Sequence, residues 1–412
     1  MKIEIKIEDY TYPLPEERIA KFPLENRNDS KLLVKTAGSD FRPIESTFKK
    51  IADWLPADSF MVFNDTKVVP ARMFFHKPTG ATIEVFCLEP VMPADYEQNF
   101  ASTGSCQWKA IVGNLKKWKG EKLSLLDSSN DPEIGAIGLE VSMVKNDGKT
   151  CIVEFSWKGG ITFSQVIAIC GRIPIPPYLK RDTQPIDLVR YQTTYAIKEG
   201  SVAAPTAGLH FTQREFVEIE KKGISRNELC LHVGAGTFLP VKSEYIADHT
   251  MHQEPFEVSI DFLRNLRAAC NKSVIAVGTT STRCLESLFY LGVHCLESGE
   301  PGMVTQWEPY RDEGYKTTIS ESLDAMISYM EQHNLSRLVS RTQIIIVPGF
   351  KFRVIDYLVT NFHQPHSTLL LLIAAFAGDD WRETYQFALD NGFRFLSYGD
   401  SSLLQRKQSN NE

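Results

Sequence analysis

Seven short runs in this chain concentrate residues able to move protons or hold anions: 63–72 (FNDTKVVPAR), 190–195 (RYQTTY), 200–212 (GSVAAPTAGLHFT), 231–238 (LHVGAGTF), 249–254 (HTMHQE), 278–283 (GTTSTR) and 360–368 (TNFHQPHST). Histidine is the side chain best suited to proton transfer near neutral pH, and His210, His232, His249, His252 and His363 all fall in these runs. His252 and Glu254, two residues apart, share one face of a strand and read as a base with an orienting carboxylate. His210 and His363 are the other proton-transfer candidates, and each of these histidines reads equally well as a structural group holding a loop. Glycine in a regular element costs about 0.5–1 kcal/mol relative to alanine, so Gly200, Gly208, Gly234 and Gly236 imply unusual backbone or a close approach. Interleaved with Thr206 and Thr237, they suit either a polar pocket or two tight turns between buried strands. Asn64 and Asp65 offer hydrogen bonds to a hydroxyl or amine, with Asp65 also a candidate acid or base. Arg190, Tyr191 and Gln192 place a cation, a ring and an amide together, a set suited to an unstacked nucleobase. Gly278, Thr279, Thr280 and Arg283 follow a strand-like segment and open a helix. That arrangement suits a carboxylate or other anion, a plain N-cap being the alternative. A metal at His249 and His252 would lack a third ligand, so no metal is expected.

These groups need a scaffold, and the sequence outlines one. The chain's 412 residues suffice for two domains with sizeable cores. Between 72 and 170 the apolar period is two, in segments 82–88, 108–112, 121–126, 139–144 and 150–156 separated by turn residues. That spacing predicts an antiparallel barrel or sandwich inserted into a mixed α/β domain formed by 1–71 and 171–412. Helices are expected at 213–222, ended by Gly223, and at 281–291; strands at 228–232 and 274–277. The alternation of residues 1–8 also predicts a strand. The longest apolar run, 369–377, is half of the roughly 18–20 residues a membrane span needs and reads as a buried helix. Eight scattered cysteines without paired spacing suggest reduced thiols, and with no secretory pattern the protein is expected in the cytoplasm. A net charge of −6 disfavours a general nucleic-acid binder. One local basic turn, with Lys116, Lys117, Trp118 and Lys119, is the best surface for RNA, and a solvated hairpin explains it equally well.

Taken in order, the seven runs resemble one family, the S-adenosylmethionine:tRNA ribosyltransferase-isomerases of queuosine synthesis. Residues 12–24, 27–33, 171–178 (GRIPIPPY), 348–350 (PGF) and 397–400 (SYGD) add to the resemblance, which runs from about residue 12 to about 404. It implies a β-barrel emerging from a larger α/β domain, S-adenosylmethionine as co-substrate, no metal, and a tRNA anticodon loop as partner for a monomer or homodimer. It also adds Asn361, Thr368, Tyr398 and Asp400 to the substrate-binding candidates. The implied reaction moves the ribosyl group onto 7-aminomethyl-7-deazaguanine at the wobble position and rearranges it, releasing adenine and methionine. Two departures stand out. Family members usually carry leucine and lysine where this chain has Gln364 and His366, and they pass quickly over the stretch that here spans about 302–340. The insertion is expected to be surface or an interface. The departures keep open a paralogue acting on another base; a non-catalytic RNA-binding relative is the remaining alternative. A methyltransferase is disfavoured, for want of a strand followed by a GxGxG loop.

Overall fold

The computed structural model describes residues 4–77, 79–126, 132–234, 241–311 and 314–406. Its larger part is built on a mixed sheet of nine strands among these residues. From edge to edge they are Arg337–Thr342, Glu254–Ser259, Ser225–Leu231, Phe60–Asn64, Val274–Val277, Tyr357–Asn361, Ser401–Gln405, Lys31–Lys35 and Ile44–Thr47. The four strands from Ser225–Leu231 to Tyr357–Asn361 run parallel. Phe60–Asn64 and Val274–Val277 are buried along their whole length, as expected where helices cover both faces of a parallel sheet. The apolar runs FMVFN and VIAV supply that double-sided burial.

The smaller part is a closed antiparallel barrel of six strands, in the order Cys151–Ser156, Ser105–Val112, Thr82–Met92, Arg72–His76, Leu123–Leu125 and Glu140–Asn146. Alternate inward side chains, with Phe75, Trp108, Val153 and Phe155 among them, fill its interior. The architecture is therefore a mixed α/β domain carrying an inserted antiparallel barrel. Backbone bonds between Arg72 and Arg172, at 3.2 and 2.8 Å, tie the strand that enters the barrel to the chain that leaves it.

Two expectations fail. Residues 4–8 do not form a strand: Lys6 makes one isolated bridge to Tyr245, and Ile7–Asp9 is a single 3-10 turn. Only Ile7 in that turn is buried, so alternation there has no sheet face to serve. Segment 302–340 is not surface decoration. Its helix Ile319–Gln332 lies against helix Thr279–Ser298 and sends Leu323, Met326 and Met330 into the main core. Ser322 Oγ donates to the Phe289 carbonyl at 2.7 Å, and a Cβ on Gly292 would fall 2.0 Å from that same oxygen. The segment leads directly into the edge strand Arg337–Thr342.

Candidate active site

Parallel strands leave their ligand crevice outside their carboxyl ends, and the polar runs sit there. Val233 follows Ser225–Leu231, Gly278 follows Val274–Val277, and Phe362 to Gln364 follow Tyr357–Asn361. Together with Ala203 to Ala207, Tyr178, Tyr191 and Ser397 they wall a cavity of about 760 Å³, part of it open to solvent. Gly278 has φ +91° and caps helix Thr279–Ser298, whose N-terminus faces the cavity with no side-chain cap. A residue with a side chain is strained at that φ. The exposed end therefore keeps backbone N–H groups and the positive end of the helix dipole available to an anion.

Among the described residues the lining carries the tyrosines Tyr178 and Tyr191 but no carboxylate. Among the described residues of the lining, one buried polar atom, Asn361 Oδ1, lacks a hydrogen-bond partner. Such groups are rare in folded proteins and call for an explanation, a ligand being one. His363 also lines the cavity; burial pushes its imidazole down to about 3, and its Nε2 lies 3.0 Å from Thr360 Oγ1. It stands in the cavity as a neutral hydrogen-bonding ring. Thr206 contributes to the same wall.

Behind this wall lies a buried charge cluster. Glu254 is paired with the Arg283 guanidinium, accepts the Gly234 N–H at 3.3 Å, and has His252 Nε2 at 3.1 Å. Burial alone would raise the Glu254 carboxyl, but His252, Arg283 and the Gly234 N–H hold it down to about 2. Arg283 is thus committed to Glu254 and to the Ile344 carbonyl at 3.1 Å rather than to the cavity. Lying one helical turn past Thr279, it braces the helix N-terminus. His252 is the exposed member of the cluster, backed by an ionised carboxylate.

Most of the other candidates are engaged by neighbouring protein groups. Asn64 clamps Leu231 with two bonds of 3.0 Å. His210 is buried, with Ser30 Oγ 2.9 Å from Nδ1 and Asn361 Nδ2 3.3 Å from Nε2, so both ring nitrogens are spent. Gln192 binds the Val68 backbone on both sides, and Arg190 donates to the Leu24 and Glu25 carbonyls. Neither presents a platform for a base. Asp400 is held by Arg394 and by the Lys31 and Arg394 N–H groups, and Tyr398 donates to Asp187 at 2.7 Å. Gly208 is required by crowding, since a Cβ there would come 1.9 Å from the Tyr195 hydroxyl. Thr368 begins helix Thr368–Ala377 beside the lining residues Ser367 and Leu369. Asp65 is buried near Lys198 and Cys230 outside this cavity; burial pushes its carboxyl up to about 6, and Oδ1 has no partner. His232 belongs to a second cleft, between the barrel and the edge of the sheet, where its ring stacks on Tyr96 at 4.2 Å. Gly236 and Thr237 lie outside the described residues.

On the barrel, Lys116, Lys117 and Lys119 are exposed, but Trp118 is not. Its ring is in the barrel core and its Nε1 donates to the Glu121 carbonyl at 2.7 Å. Of the two substituted positions, Gln364 lines the cavity, whereas His366 faces Glu8 at 3.3 Å away from the lining. Tyr178, Ser397 and Ala203–Ala204 fall within the runs 171–178, 397–400 and 200–212, and sequence reasoning assigned them no role of their own. Among the described residues there is no group of three or more His, Cys, Asp or Glu placed to hold a metal, and no helix long and apolar enough to cross a membrane.

A family model described as "Queuosine biosynthesis protein" matches residues 7–404. The S-adenosylmethionine:tRNA ribosyltransferase-isomerase of Halothermothrix orenii is 38% identical over 408 residues, covering 97% of this chain and 100% of the relative. The protein of the same name from Dichelobacter nodosus is 38% identical over 413 residues, covering 99% and 98%. A crystal structure of S-adenosylmethionine tRNA ribosyltransferase from Thermotoga maritima aligns with a TM-score of 0.44 and 26% identity, over 96% of this chain and 99% of that one.

Proposed function

The chain belongs to the queuosine biosynthesis protein family, and from that premise we propose that it acts as an S-adenosylmethionine:tRNA ribosyltransferase-isomerase whose reaction centre is the cavity at the carboxyl ends of the parallel strands. The proposed reaction transfers the ribosyl group of S-adenosylmethionine to 7-aminomethyl-7-deazaguanine at the tRNA wobble position. Its isomerisation yields epoxyqueuosine, with adenine and methionine released. One observation carries the assignment: an uncapped helix N-terminus and the unpartnered buried Asn361 Oδ1 converge on a single cavity.

The residues fit this co-substrate. The N–H groups at Gly278 to Thr280 suit the methionine carboxylate. The rings of Tyr178 and Tyr191, with no carboxylate in the lining, offer a sulfonium an aromatic rather than an ionic surround. Thr206, Asn361 and the Tyr191 hydroxyl supply hydrogen bonds for ribose or adenine. The chemistry needs a base to take a proton beside the sulfonium, and a general base works best with a pKa near the working pH. Burial makes His363 too weak for that and suits it to orienting the substrate. His252, outside the described lining and supported by Glu254 behind the wall, is the proposed base, reached at the edge of the cavity. The exposed lysines 116, 117 and 119 would meet RNA phosphates, and domain boundaries near residues 71 and 171 let the barrel present them. A cytoplasmic location accords with a tRNA substrate.

The test is release of adenine and methionine from S-adenosylmethionine, with and without tRNA bearing the aminomethyl base. Release that requires this tRNA is the expected result, and His252→Gln should slow it by roughly 10²–10⁴-fold. The presence of Gln364 in the lining favours a second reading, a relative that accepts a different base. Release with other acceptors but not with this tRNA would select that reading.

A further inference from the structure

Beyond Ser397, which borders both spaces, lies a smaller cavity of about 280 Å³. Arg27, Arg190, Arg394, Ser30, His210 and Tyr398 wall it. Its charge is out of keeping with a chain of net charge −6. Arg394 is paired with Asp400 at 3.1 Å. Among the described residues Arg27 and Arg190 have no carboxylate partner; backbone carbonyls hold them instead. Arg27 donates to the Gln192 carbonyl at 2.7 Å, to Leu209 at 3.2 Å and to Val189 at 2.7 Å. Arg190 donates to Leu24 at 2.6 Å and Glu25 at 3.0 Å, and its Nε is buried without a partner.

The Val189 carbonyl belongs to the last turn of helix Pro185–Arg190, whose dipole supplies roughly half a negative charge. That helps to seat Arg27 but does not cancel two cations. Neighbouring groups register the excess. Burial is the main cause of both shifts. It pushes His210 down to about 4, with smaller pushes from Arg394 and Arg27 working against a hydrogen bond at the Arg27 backbone. It pushes Arg27 down to about 10, with Arg190 adding to it. The carbonyl clamps also fix both guanidinium groups in place, so little rotamer freedom remains to be lost when an anion arrives.

We propose that this cavity is a phosphodiester site, receiving one backbone phosphate of the RNA strand next to the nucleotide being modified. The inference rests on the main cavity being the reaction centre, because the shared Ser397 wall puts the two sites side by side. The space is about 280 Å³ counting the solvent at its open mouth, too small for a nucleoside. Arginine in a fixed orientation is the side chain best matched to phosphate oxygens.

The experiment compares the full-length wild type with Arg190→Gln and Arg190→Lys, using tRNA that carries the aminomethyl base and inorganic phosphate as a probe. Arg190→Gln is expected to weaken tRNA binding about 10-fold and to lower the slope of log affinity against log salt by about 1, which is what losing one phosphate contact removes. Arg190→Lys, keeping the charge, should retain the slope. Inorganic phosphate should raise the melting temperature of the wild type but not of Arg190→Gln. A wild-type salt slope in a folded Arg190→Gln protein would overturn the proposal. So would a phosphate-dependent melting shift in the wild type accompanied by no change of slope, which marks a site for the free ion alone. Failure of the underlying reading is separate: it appears as no tRNA-dependent adenine release by the wild type, whatever the slope.

Discussion

Tyr191 is buried completely and lines the main cavity, its hydroxyl engaged with Ser397 and the Ala204 backbone. A hydrogen bond of this kind is worth about 1 kcal/mol net. Tyr191→Phe should therefore destabilise the free protein by about 1 kcal/mol and weaken S-adenosylmethionine binding roughly tenfold, the second effect being one that a structural tyrosine would not give. Thermal unfolding and calorimetric titration measure the two effects, and unchanged binding would remove the hydroxyl from the site. His210 shows the contrary case. Its nitrogens are already satisfied by Ser30 and Asn361, so its value lies in holding the loop that precedes helix Gln213–Lys221.

Helix Thr279–Ser298 is the element on which the site depends. Its first turn faces the cavity, its second places Arg283 on Glu254, and its middle packs against Ile319–Gln332. Glu286, on the same helix, accepts the N–H groups of Arg353, Val354 and Ile355 and fixes the loop before strand Tyr357–Asn361. Stability of segment 302–340 is thus coupled to the position of the helix N-terminus. Leu323→Ala, which empties a fully buried position on helix Ile319–Gln332, should cost about 2–5 kcal/mol in denaturant unfolding. A loss below about 0.5 kcal/mol, typical of surface substitutions, would show that the segment is peripheral after all.

At the scale of the molecule, buried ionisable groups set the response to pH. His210 and His232 are pushed down to about 4 and His363 to about 3, in each case first by burial. A depressed histidine contributes stability above its unfolded pKa of about 6.5 and loses it as pH falls toward the folded value. Asp65 and Glu286 act oppositely, since burial pushes them up to about 6 and about 7. Their contribution is present at low pH and lost as pH rises through those values. Three histidines outweigh two acids, so unfolding free energy should fall from pH 6.5 to pH 4 with a net slope on the order of 1–2 kcal/mol per pH unit near pH 5. Urea titrations across that range check it; a flat profile would mean that the histidines are hydrated. Barrel and sheet are joined at Arg72–Arg172 and by the ion pairs Arg337–Glu97 at 3.0 Å and Arg341–Glu89 at 3.4 Å. Exposed pairs of this kind are worth about 1 kcal/mol or less each and weaken with salt.

The sequence by itself determined the elements and the order of the polar runs. Period two with turn residues marks the barrel strands, Gly223 ends helix Gln213–Lys221, and a glycine-threonine run after VIAV opens the long helix; all of these are local signals, carried by neighbours in the chain. The family resemblance was legible for the same reason, as motifs in sequence. Composition could not tell which of five histidines faces a cavity, nor that Trp118 turns inward, because each depends on what the fold brings beside it. Ser30 meets His210 across 180 residues, Asn361 meets it across 151, and Tyr398 meets Asp187 across 211. Only the tertiary structure decided these pairings. Burial then fixed which groups stay neutral, which stay charged and which polar atoms are left without a partner.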